Sequence, residues 1–382
     1  MRIVVAPQEF KGSLSAIEAA RAIAVGLRAA LPDAEIIQAP MSDGGPGLVD
    51  AMLAARGGDR TETDVHDPLM RPVRAAWAIL GDTAPHRHGQ AAAIEMAAAS
   101  GLVLVPKDER DPLVATTYGT GELILAAVER GCRRIIVGVG GSATVDGGAG
   151  ALQALGVRLV NEAGGDLPPG GAALARLARI DTTGLDARVA GAAIRVATDV
   201  TSTLCGPTGA AVMFGPQKGA SPDDVRMLEG ALQHFARIIE RDCGVDVLGL
   251  AGGGAAGGLT AGLDAGAGAT IEPGFAVVAE ATELEAKIDS ADLVVTGEGR
   301  LDAQTAYGKT ASGVAALARK HGRRVAVIAG SVDPGYDTKS GAFDLVESVL
   351  PPGAPLEDAM RDAAALVARA AERLALRWRA AG

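Results

Sequence analysis

Residues 135–156, IIVGVGGSATVDGGAGALQALG, join a run of β-branched residues to a glycine-rich turn and then to an alanine- and leucine-rich segment. The first run predicts a buried strand, because β-branched side chains favour the extended backbone. The last segment predicts a helix that begins near Gly150. A strand, a glycine turn and a helix in this order form the unit from which parallel α/β sheets are built.

The same alternation occurs at both ends of the chain. RIVVAP (2–7) precedes a segment whose apolar residues recur every three or four positions, with Ser13 or Ser15 as its expected N-cap. Near the C-terminus, two apolar strands alternate with helices expected at about residues 311–321 and 356–381. This alternation predicts a doubly wound parallel sheet of the Rossmann-like type.

The middle of the chain carries hairpin signals instead. Residues 66–84 and 90–105 read as β-hairpin material, with Trp77 as a buried anchor. We therefore predict an α/β fold of two domains with an active-site cleft between them. The first is a discontinuous Rossmann-like domain of residues 1–62 and 288–382, and the second is an inserted α/β domain of residues 63–287 that carries the glycine-rich loop.

Composition and charge exclude several classes of protein. The 382 residues carry a net charge of −10, with no long basic run, which argues against a nucleic-acid partner. Cys132, Cys205 and Cys243 are too few and too far apart for a disulfide framework or a zinc site. With no signal peptide or membrane span in view, we expect a cytoplasmic protein. The oligomeric state stays open, and a homodimer is one option.

The glycine-rich turn has three alternative interpretations. As a dinucleotide fingerprint, Gly138, Gly140 and Ala143 match G-x-G-x-x-G/A, and Glu162 follows at the expected distance. Against that interpretation, the later glycines would lie in the first turns of the helix, and the Asp146 carboxylate would face the pyrophosphate. As a plain turn, the segment would need Asp146 only as a helix cap.

As a phosphate cradle, the loop would bind an anion with glycine N–H groups and a helix N-terminus. Asp146 would then reach a Mg²⁺ ion shared with the phosphates, or a substrate hydroxyl. The residues predicted to bind the nucleotide are Gly140, Gly141, Ser142, Ala143, Thr144, Gly147 and Gly148.

Further acidic residues follow apolar runs at points where a parallel sheet exposes the carboxyl ends of its strands. Asp43, Asp199, Glu298 and Asp302 all lie in such turns. Each alone is typical of a turn or a cap. Together with a phosphate cradle, they indicate a cleft that handles metal ions and hydroxyl groups.

Eight ordered blocks, taken together, resemble the glycerate kinase family of the bacterial type that phosphorylates the 2-hydroxyl. The blocks are FKGSLSA, PMSDGGPG, IEMAAASGL, TTYGTGELI, GVGGSATVDGGAGALQALG, VMFGPQKGA, AAGGL and ADLVVTGEGRLDAQTAYGK. They run nearly from end to end of the chain. The resemblance implies two α/β domains, one of them Rossmann-like and split by an insertion, and Mg²⁺-assisted transfer of phosphate from ATP to D-glycerate.

With this resemblance, we assign roles to the candidate residues. Asp146 and Asp199 would hold Mg²⁺ or accept the hydroxyl proton, and Lys11 would offset the charge that develops on the phosphoryl group. The residues expected to contact glycerate are Ser13, Asp43, Arg71, Glu298 and Arg300, the arginines because their fork binds a carboxylate through two hydrogen bonds.

The chain departs from the usual family pattern in turns of the predicted cleft. The departing residues are Gln8 and Glu9 in place of Asp-Ser, Pro46 in place of Glu, Val145 in place of Asn, and Ser202-Thr203 in place of Asn-Pro. These positions bear on the acceptor, so a related hydroxy acid and phosphorylation of the 3-hydroxyl stay as alternatives. An NAD-dependent dehydrogenase and a non-catalytic glycerate sensor are alternatives from other classes.

Overall fold

The computed structural model describes residues 1–81, 90–302, 310–336, 341–350 and 360–381, and the chain divides into two compact units. Unit 1 comprises Met1–Asp43, Asp50–Arg56 and Phe275–Gly382; unit 2 comprises Gly44–Val49 and Gly57–Gly274. The sequence placed the main junctions at 62/63 and 287/288, and the structure has them at 56/57 and 274/275.

Unit 1 contains a parallel sheet whose strand order is β13-β12-β11-β1-β2. Its strands in the described residues are β1 (Arg2–Pro7), β2 (Glu35–Gln38), β11 (Leu293–Leu301), β12 (Arg324–Val332) and β13 (Leu345–Ser348). The helices that lie wholly or mostly in unit 1 are α1 (Ala16–Ala30), α2 (Leu48–Arg56), α10 (Gly274–Ala281), α11 (Leu284–Asp289), α12 (Thr310–Lys320) and α13 (Ala363–Ala381).

The sheet of unit 1 is covered on both faces, as the apolar runs of its strands predict. Ile3 and Val5 belong to one core cluster with Leu27 of α1 and Val367 of α13. Val4 points to the opposite face, because side chains alternate along a strand, and it too is fully buried. Burial on both faces is typical of parallel sheets in α/β proteins and confirms the predicted fold class.

Helix boundaries in unit 1 follow local signals. Ser15, one of the two predicted caps, begins α1 with a capping box: its Oγ accepts from the Glu18 N–H, and its own N–H donates to Glu18 Oε2. The helix predicted at 311–321 is α12, Thr310–Lys320. The helix predicted at 356–381 is α13, which begins at Ala363; part of the predicted range lies outside the described residues.

The winding of unit 1 changes direction between β1 and β11. From β1 the chain crosses through α1 to β2 on one side, whereas β11 lies on the other side of β1 and leads outward to β12 and β13. Pro7, at the end of β1, pairs in register with Gly297 of β11. Ligands of open α/β sheets bind outside the carboxyl ends of the strands at such a point.

Unit 2 contains a mixed sheet with the strand order β10-β9-β6-β5-β4-β3 and a separate β7-β8 pair. The strands are β3 (Gly58–His66), β4 (Pro72–Leu80), β5 (Gln90–Glu95), β6 (Cys132–Gly138), β7 (Arg158–Val160), β8 (Arg179–Asp181), β9 (Ala193–Ala197) and β10 (Thr270–Glu272). The two predicted hairpin segments contribute β4 and β5, which pair antiparallel. The sequence did not predict β3, the other antiparallel partner of β4, and residues 97–104 of the second segment form helical turns instead. Trp77 is fully buried, and its Nε1 donates to Thr63 Oγ1 at 2.9 Å.

The opening strand–turn–helix prediction is confirmed in unit 2 as β6, the glycine-rich loop 139–148, and α5. The α-helices of unit 2 in the described residues are α3 (Ala97–Ser100), α4 (Tyr118–Glu129), α5 (Ala149–Ala154), α6 (Ala187–Ala190), α7 (Ala210–Phe214), α8 (Pro222–Cys243) and α9 (Ala255–Ala267). β6 pairs in parallel with β5 and β9, so the loop leaves the carboxyl end of a central strand.

Candidate active site

A cavity of about 560 Å³ lies in unit 1 at the carboxyl ends of its strands. Residues 8–11 after β1, residue 43 after β2, and residues 298–300 of β11 line one part of it. Residues 330–331 of β12, residues after β13 and the start of α13 line the rest. The cavity is therefore at the position that the reversal of winding between β1 and β11 predicts.

Acidic and basic groups meet on one wall of the cavity. Gln8 Nε2 donates to Asp43 Oδ2 at 2.8 Å, which fixes that carboxylate against the end of β1. Burial and the neighbouring Asp43 raise the pKa of the Glu9 carboxyl, and Lys11 opposes this rise. The ammonium of Lys11 thus lies among carboxylates, on an exposed side chain at the cavity.

β11 adds two further charged residues to this wall. Glu298 is only 5% exposed, yet it lines the cavity. Arg300 is mostly exposed, and its Nη2 donates to Asp333 Oδ2 at 2.6 Å. Ser13 also lines the cavity, and its Oγ donates to the carbonyl of Phe10 at 2.8 Å. Five predicted site residues, Lys11, Ser13, Asp43, Glu298 and Arg300, are therefore brought together here.

The remaining wall of the cavity is apolar. Its members follow β1, follow β13, precede α13 or lie in its first turns; they are Phe10, Val349, Leu350, Met360, Ala363 and Val367. The sequence did not predict this wall. Its residues are spread over the chain and read individually as core positions.

The glycine-rich loop of unit 2 is organised around Asp146, which is fully buried. Asp146 Oδ2 accepts from the Thr117 N–H at 2.8 Å, from Thr117 Oγ1 at 2.9 Å and from the Gly150 N–H at 3.2 Å. Its Oδ1 accepts from the Gly148 N–H at 3.1 Å. Burial raises the pKa of the Asp146 carboxyl, and the hydrogen bonds from Thr117, Gly148 and Gly150 oppose that rise.

The assignment of Mg²⁺ to Asp146 is therefore revised. Donors from Thr117 and Gly150 surround Asp146 Oδ2, and the side chain has no exposed surface, so the packing leaves no open approach for an ion. Asp146 caps the first turn of α5 and ties it to Thr117. This matches the interpretation of Asp146 as a helix cap, one of those left open by the sequence.

Part of the loop backbone is likewise hydrogen-bonded inside the protein. The Ala143 N–H donates to Ser100 O and the Gly147 N–H to Gly257 O, both at 2.9 Å. Of the predicted nucleotide-binding residues, Gly141 is exposed and Gly140 half-buried, while the buried ones are Ser142, Ala143, Thr144, Gly147 and Gly148. The same bonds count against a dinucleotide site, because a pyrophosphate would need these N–H groups.

Close packing explains why the loop is rich in glycine. A Cβ on Gly147, which has φ +66°, would lie 2.7 Å from ring atoms of Phe235. A Cβ on Gly257, beneath the loop, would lie 1.9 Å from the carbonyl oxygen of Thr144. The ring of Phe235 and the backbone of Thr144 therefore leave room at these two positions only for the hydrogen of a glycine.

Lys218 is a buried charged residue beside the loop that sequence reasoning missed. It is 2% exposed, and its Nζ donates to Ser142 Oγ at 2.8 Å and to the Thr144 carbonyl at 2.7 Å. Burial lowers the pKa of Lys218 to about 7, and the negative charge of Asp146 opposes this shift. Lys218 lies in VMFGPQKGA, one of the eight blocks that resemble the family, and this block could have identified the residue from the sequence.

Two predicted site residues, Asp199 and Arg71, lie outside both the cavity and the loop. Asp199 is exposed just after β9, so it stays a candidate catalytic residue. Arg71 is committed elsewhere: its Nε donates to Asp67 Oδ2 at 2.7 Å and its Nη1 to Glu109 Oε2 at 2.6 Å. These carboxylates raise the pKa of Arg71 and occupy the fork that a substrate carboxylate would need. Its assignment to glycerate is therefore revised.

Two further features are absent from the described part of the chain. In the described residues, no cluster of three or more His, Cys, Asp or Glu side chains is arranged to hold a metal ion. None of the described helices combines the length and apolarity needed to cross a bilayer.

Comparison with known proteins gives one consistent family. The model of the glycerate kinase family matches residues 3–379. The chain is 46% identical over 376 residues to a glycerate kinase of Bacillus subtilis (strain 168), covering 98% of this chain and 97% of the relative. It is 47% identical over 377 residues to a glycerate 2-kinase of Escherichia coli (strain K12), with the same coverage.

A solved structure agrees with these relatives. It is a crystal structure described as that of a candidate glycerate kinase 2 from Salmonella typhimurium LT2. Its TM-score is 0.88 at 47% identity, with 100% of this chain and 99% of that chain covered. The full-length matches and the two α/β units lead to one conclusion: the chain belongs to the glycerate kinase family.

Proposed function

We propose that the chain is an ATP-dependent kinase that phosphorylates D-glycerate at its 2-hydroxyl, with Mg²⁺ as the metal cofactor. The observation that carries this proposal is the cavity of unit 1, where Lys11 and the carboxylates of Asp43 and Glu298 meet at the strand ends. The family and the names of the relatives support the same reaction.

Phosphoryl transfer asks a protein mainly to position the reactants and to neutralise charge. Lys11 supplies a cation that stabilises the negative charge on the transferred group. Arg300 keeps part of its guanidinium fork beyond its bond to Asp333, and we assign that part to the glycerate carboxylate. Glu298 or Asp43 accepts hydrogen bonds from the hydroxyls of glycerate, and Ser13 adds a hydroxyl oxygen to this wall.

The donor set of the cavity fits Mg²⁺. This ion prefers hard oxygen ligands, and protein sites often supply only one or two carboxylates, with substrate phosphates and water completing the shell. Asp43 and Glu298 offer such carboxylates. When bound, Mg²⁺ would neutralise charge on the phosphates of ATP. Asp199 stays our candidate in unit 2 for accepting the hydroxyl proton.

The test is ADP release by the purified chain with Mg-ATP, measured with D-glycerate, with L-glycerate and without acceptor. Release that depends on D-glycerate, with 2-phosphoglycerate identified by ³¹P NMR, is the expected result. Formation of 3-phosphoglycerate would overturn the choice of hydroxyl alone. Glycerate binding without ADP release would favour the sensor alternative, and release with another hydroxy acid would change the acceptor.

Two further expectations come from the sequence and stay proposals. We propose a cytoplasmic enzyme, and a homodimer is its candidate assembly. Light scattering of the purified chain, coupled to size-exclusion chromatography, measures the assembly directly.

A further inference from the structure

We propose that the cavity of unit 1 binds the nucleoside part of ATP against its apolar wall, so that unit 1 supplies the base-binding site. The inference rests on the proposed function for the identity of the nucleotide. It places the base against the apolar wall of unit 1 and not at the glycine-rich loop that the sequence predicted for the nucleotide.

The size of the cavity is the first argument. Pockets of about 300–1,000 Å³ take ligands the size of a drug molecule. At about 560 Å³ the cavity falls inside that range. Glycerate has a three-carbon skeleton and would leave most of this space empty, whereas a nucleoside would occupy far more of it.

The chemistry of the wall is the second argument. Phe10 and Val349 are 4% and 6% exposed, and Val367 of α13 is 1% exposed, so these side chains are held in place by the core. Glycerate carries polar groups on every carbon and has no surface that matches such a wall. A purine has two apolar faces, and apolar and aromatic side chains are the usual partners of a base.

The adaptable part of the wall is the third argument. Met360 lies three residues before α13, is 40% exposed and lines the cavity. Methionine packs against aromatic rings of varied orientation because its thioether is flexible and polarisable. Ser331 of β12 lines the same space and offers a hydroxyl to the polar edge of a base.

The glycine-rich loop of unit 2 is the alternative site for the nucleotide. The loop 140–148 of unit 2 uses its Ala143, Gly147 and Gly148 N–H groups inside the protein, and the Asp146 carboxylate occupies the N-terminus of α5. The small pocket beside Ala143 has no room for a base, whereas the cavity of unit 1 has both the room and an apolar wall.

The test is Ala363→Trp, which fills the apolar end of the cavity, with Ala364→Trp as the matched control. Ala363 lines the cavity, and Ala364 is the exposed next residue on the same helix. Binding of Mg-ADP is measured by calorimetry without glycerate, so the readout does not depend on turnover. We expect at least tenfold weaker binding in Ala363→Trp and less than twofold change in the control.

A second variant and a direct probe guard against misfolding. Val349→Ala removes two methyl groups from the wall and should weaken Mg-ADP binding about threefold. Photolabelling of the full chain with 2-azido-ATP should modify peptides that contain Phe10 or residues 360–367. Label confined to residues 140–148, or unchanged Mg-ADP affinity in both cavity variants, would overturn the inference.

The outcomes separate the inference from the proposed function. Glycerate-dependent ADP release together with unchanged nucleotide affinity in the cavity variants would leave the function standing and remove the base site. Mg-ADP binding that is lost in Ala363→Trp, in a chain that does not phosphorylate glycerate, would leave the base site standing and remove the acceptor.

Discussion

The loop 140–148 of unit 2 and the cavity of unit 1 start from the same elements: a parallel strand, a glycine-containing turn and an acidic residue. In the loop, Asp146 is fully buried and receives hydrogen bonds from the turn that a phosphate would otherwise use. In the cavity, Asp43 and Glu298 line open space beside Lys11. The comparison teaches that an anion-binding turn can be filled by its own carboxylate, whereas the carboxylates of the cavity line a space that a ligand can enter.

Lys11→Ala should have the largest effect on activity. Removing one group that stabilises transition-state charge costs roughly 10²–10³ in kcat. Lys107→Ala, an exposed lysine of unit 2, is the control and should leave kcat unchanged. Steady-state kinetics and circular dichroism check both variants. A Lys11→Ala enzyme with normal kcat would remove the cavity from the reaction.

Asp146→Asn should affect stability and largely spare the chemistry. An amide has one acceptor oxygen, so either the Gly148 N–H or the donors of Thr117 and Gly150 would face its NH2 group and lose a partner. Leaving a buried donor unsatisfied costs about 1–3 kcal/mol of the free energy of unfolding.

Urea unfolding measures this loss, with the exposed Asp108→Asn as a control that should not change stability. A large fall in kcat at unchanged stability would return Asp146 to the catalytic machinery.

Gly147→Ala tests whether close packing of the loop against Phe235 stabilises the fold. The new Cβ would clash with Phe235 and force a left-handed backbone on alanine. We expect a loss of about 1–3 kcal/mol, as for other overpacked cores.

Gly164→Ala is the matched control, because Gly164 has φ +81° with no atom within 4 Å of the added Cβ. The control carries the backbone cost alone, so equal losses in the two variants would contradict a packing role for Gly147.

Lys218 should make stability depend on pH in a defined direction. Its pKa is about 7 in the folded chain and near 10.4 when unfolded, so the unfolded state binds more protons between these values. The free energy of unfolding therefore gains a contribution that rises with pH from about 7 to 10, by at most about 1.4 kcal/mol per pH unit.

Denaturant titrations at several pH values, compared between wild type and Lys218→Met, isolate this contribution. A difference between the two chains that does not change with pH would show that Lys218 keeps its proton in the fold.

Local signals were sufficient for much of the architecture. The strand–turn–helix at 135–156, the Ser15 cap and the antiparallel β4-β5 pair that contains Trp77 depend on residues close in sequence, and each is present in the structure. The grouping of Lys11 with Asp43, Glu298 and Arg300 was also predicted, because strand ends of a parallel sheet meet at one edge.

The loop was harder to predict because its partners are distant in the chain. Thr117, Lys218 and Gly257 approach it from other elements, and no spacing rule connects them with Asp146. Arg71 raised the same difficulty: its partner Asp67 is four residues away, but Glu109 is brought to it only by folding.

The sequence by itself therefore determined the α/β elements, the family and the set of polar residues that carry the chemistry. Only the tertiary structure decided which of those residues face open space and which are consumed inside the protein. The physical reason is that hydrogen-bond satisfaction and burial depend on neighbours from the whole chain. A carboxylate such as Asp146 is the same residue in a list of letters whether it meets a metal ion or a turn of backbone N–H groups.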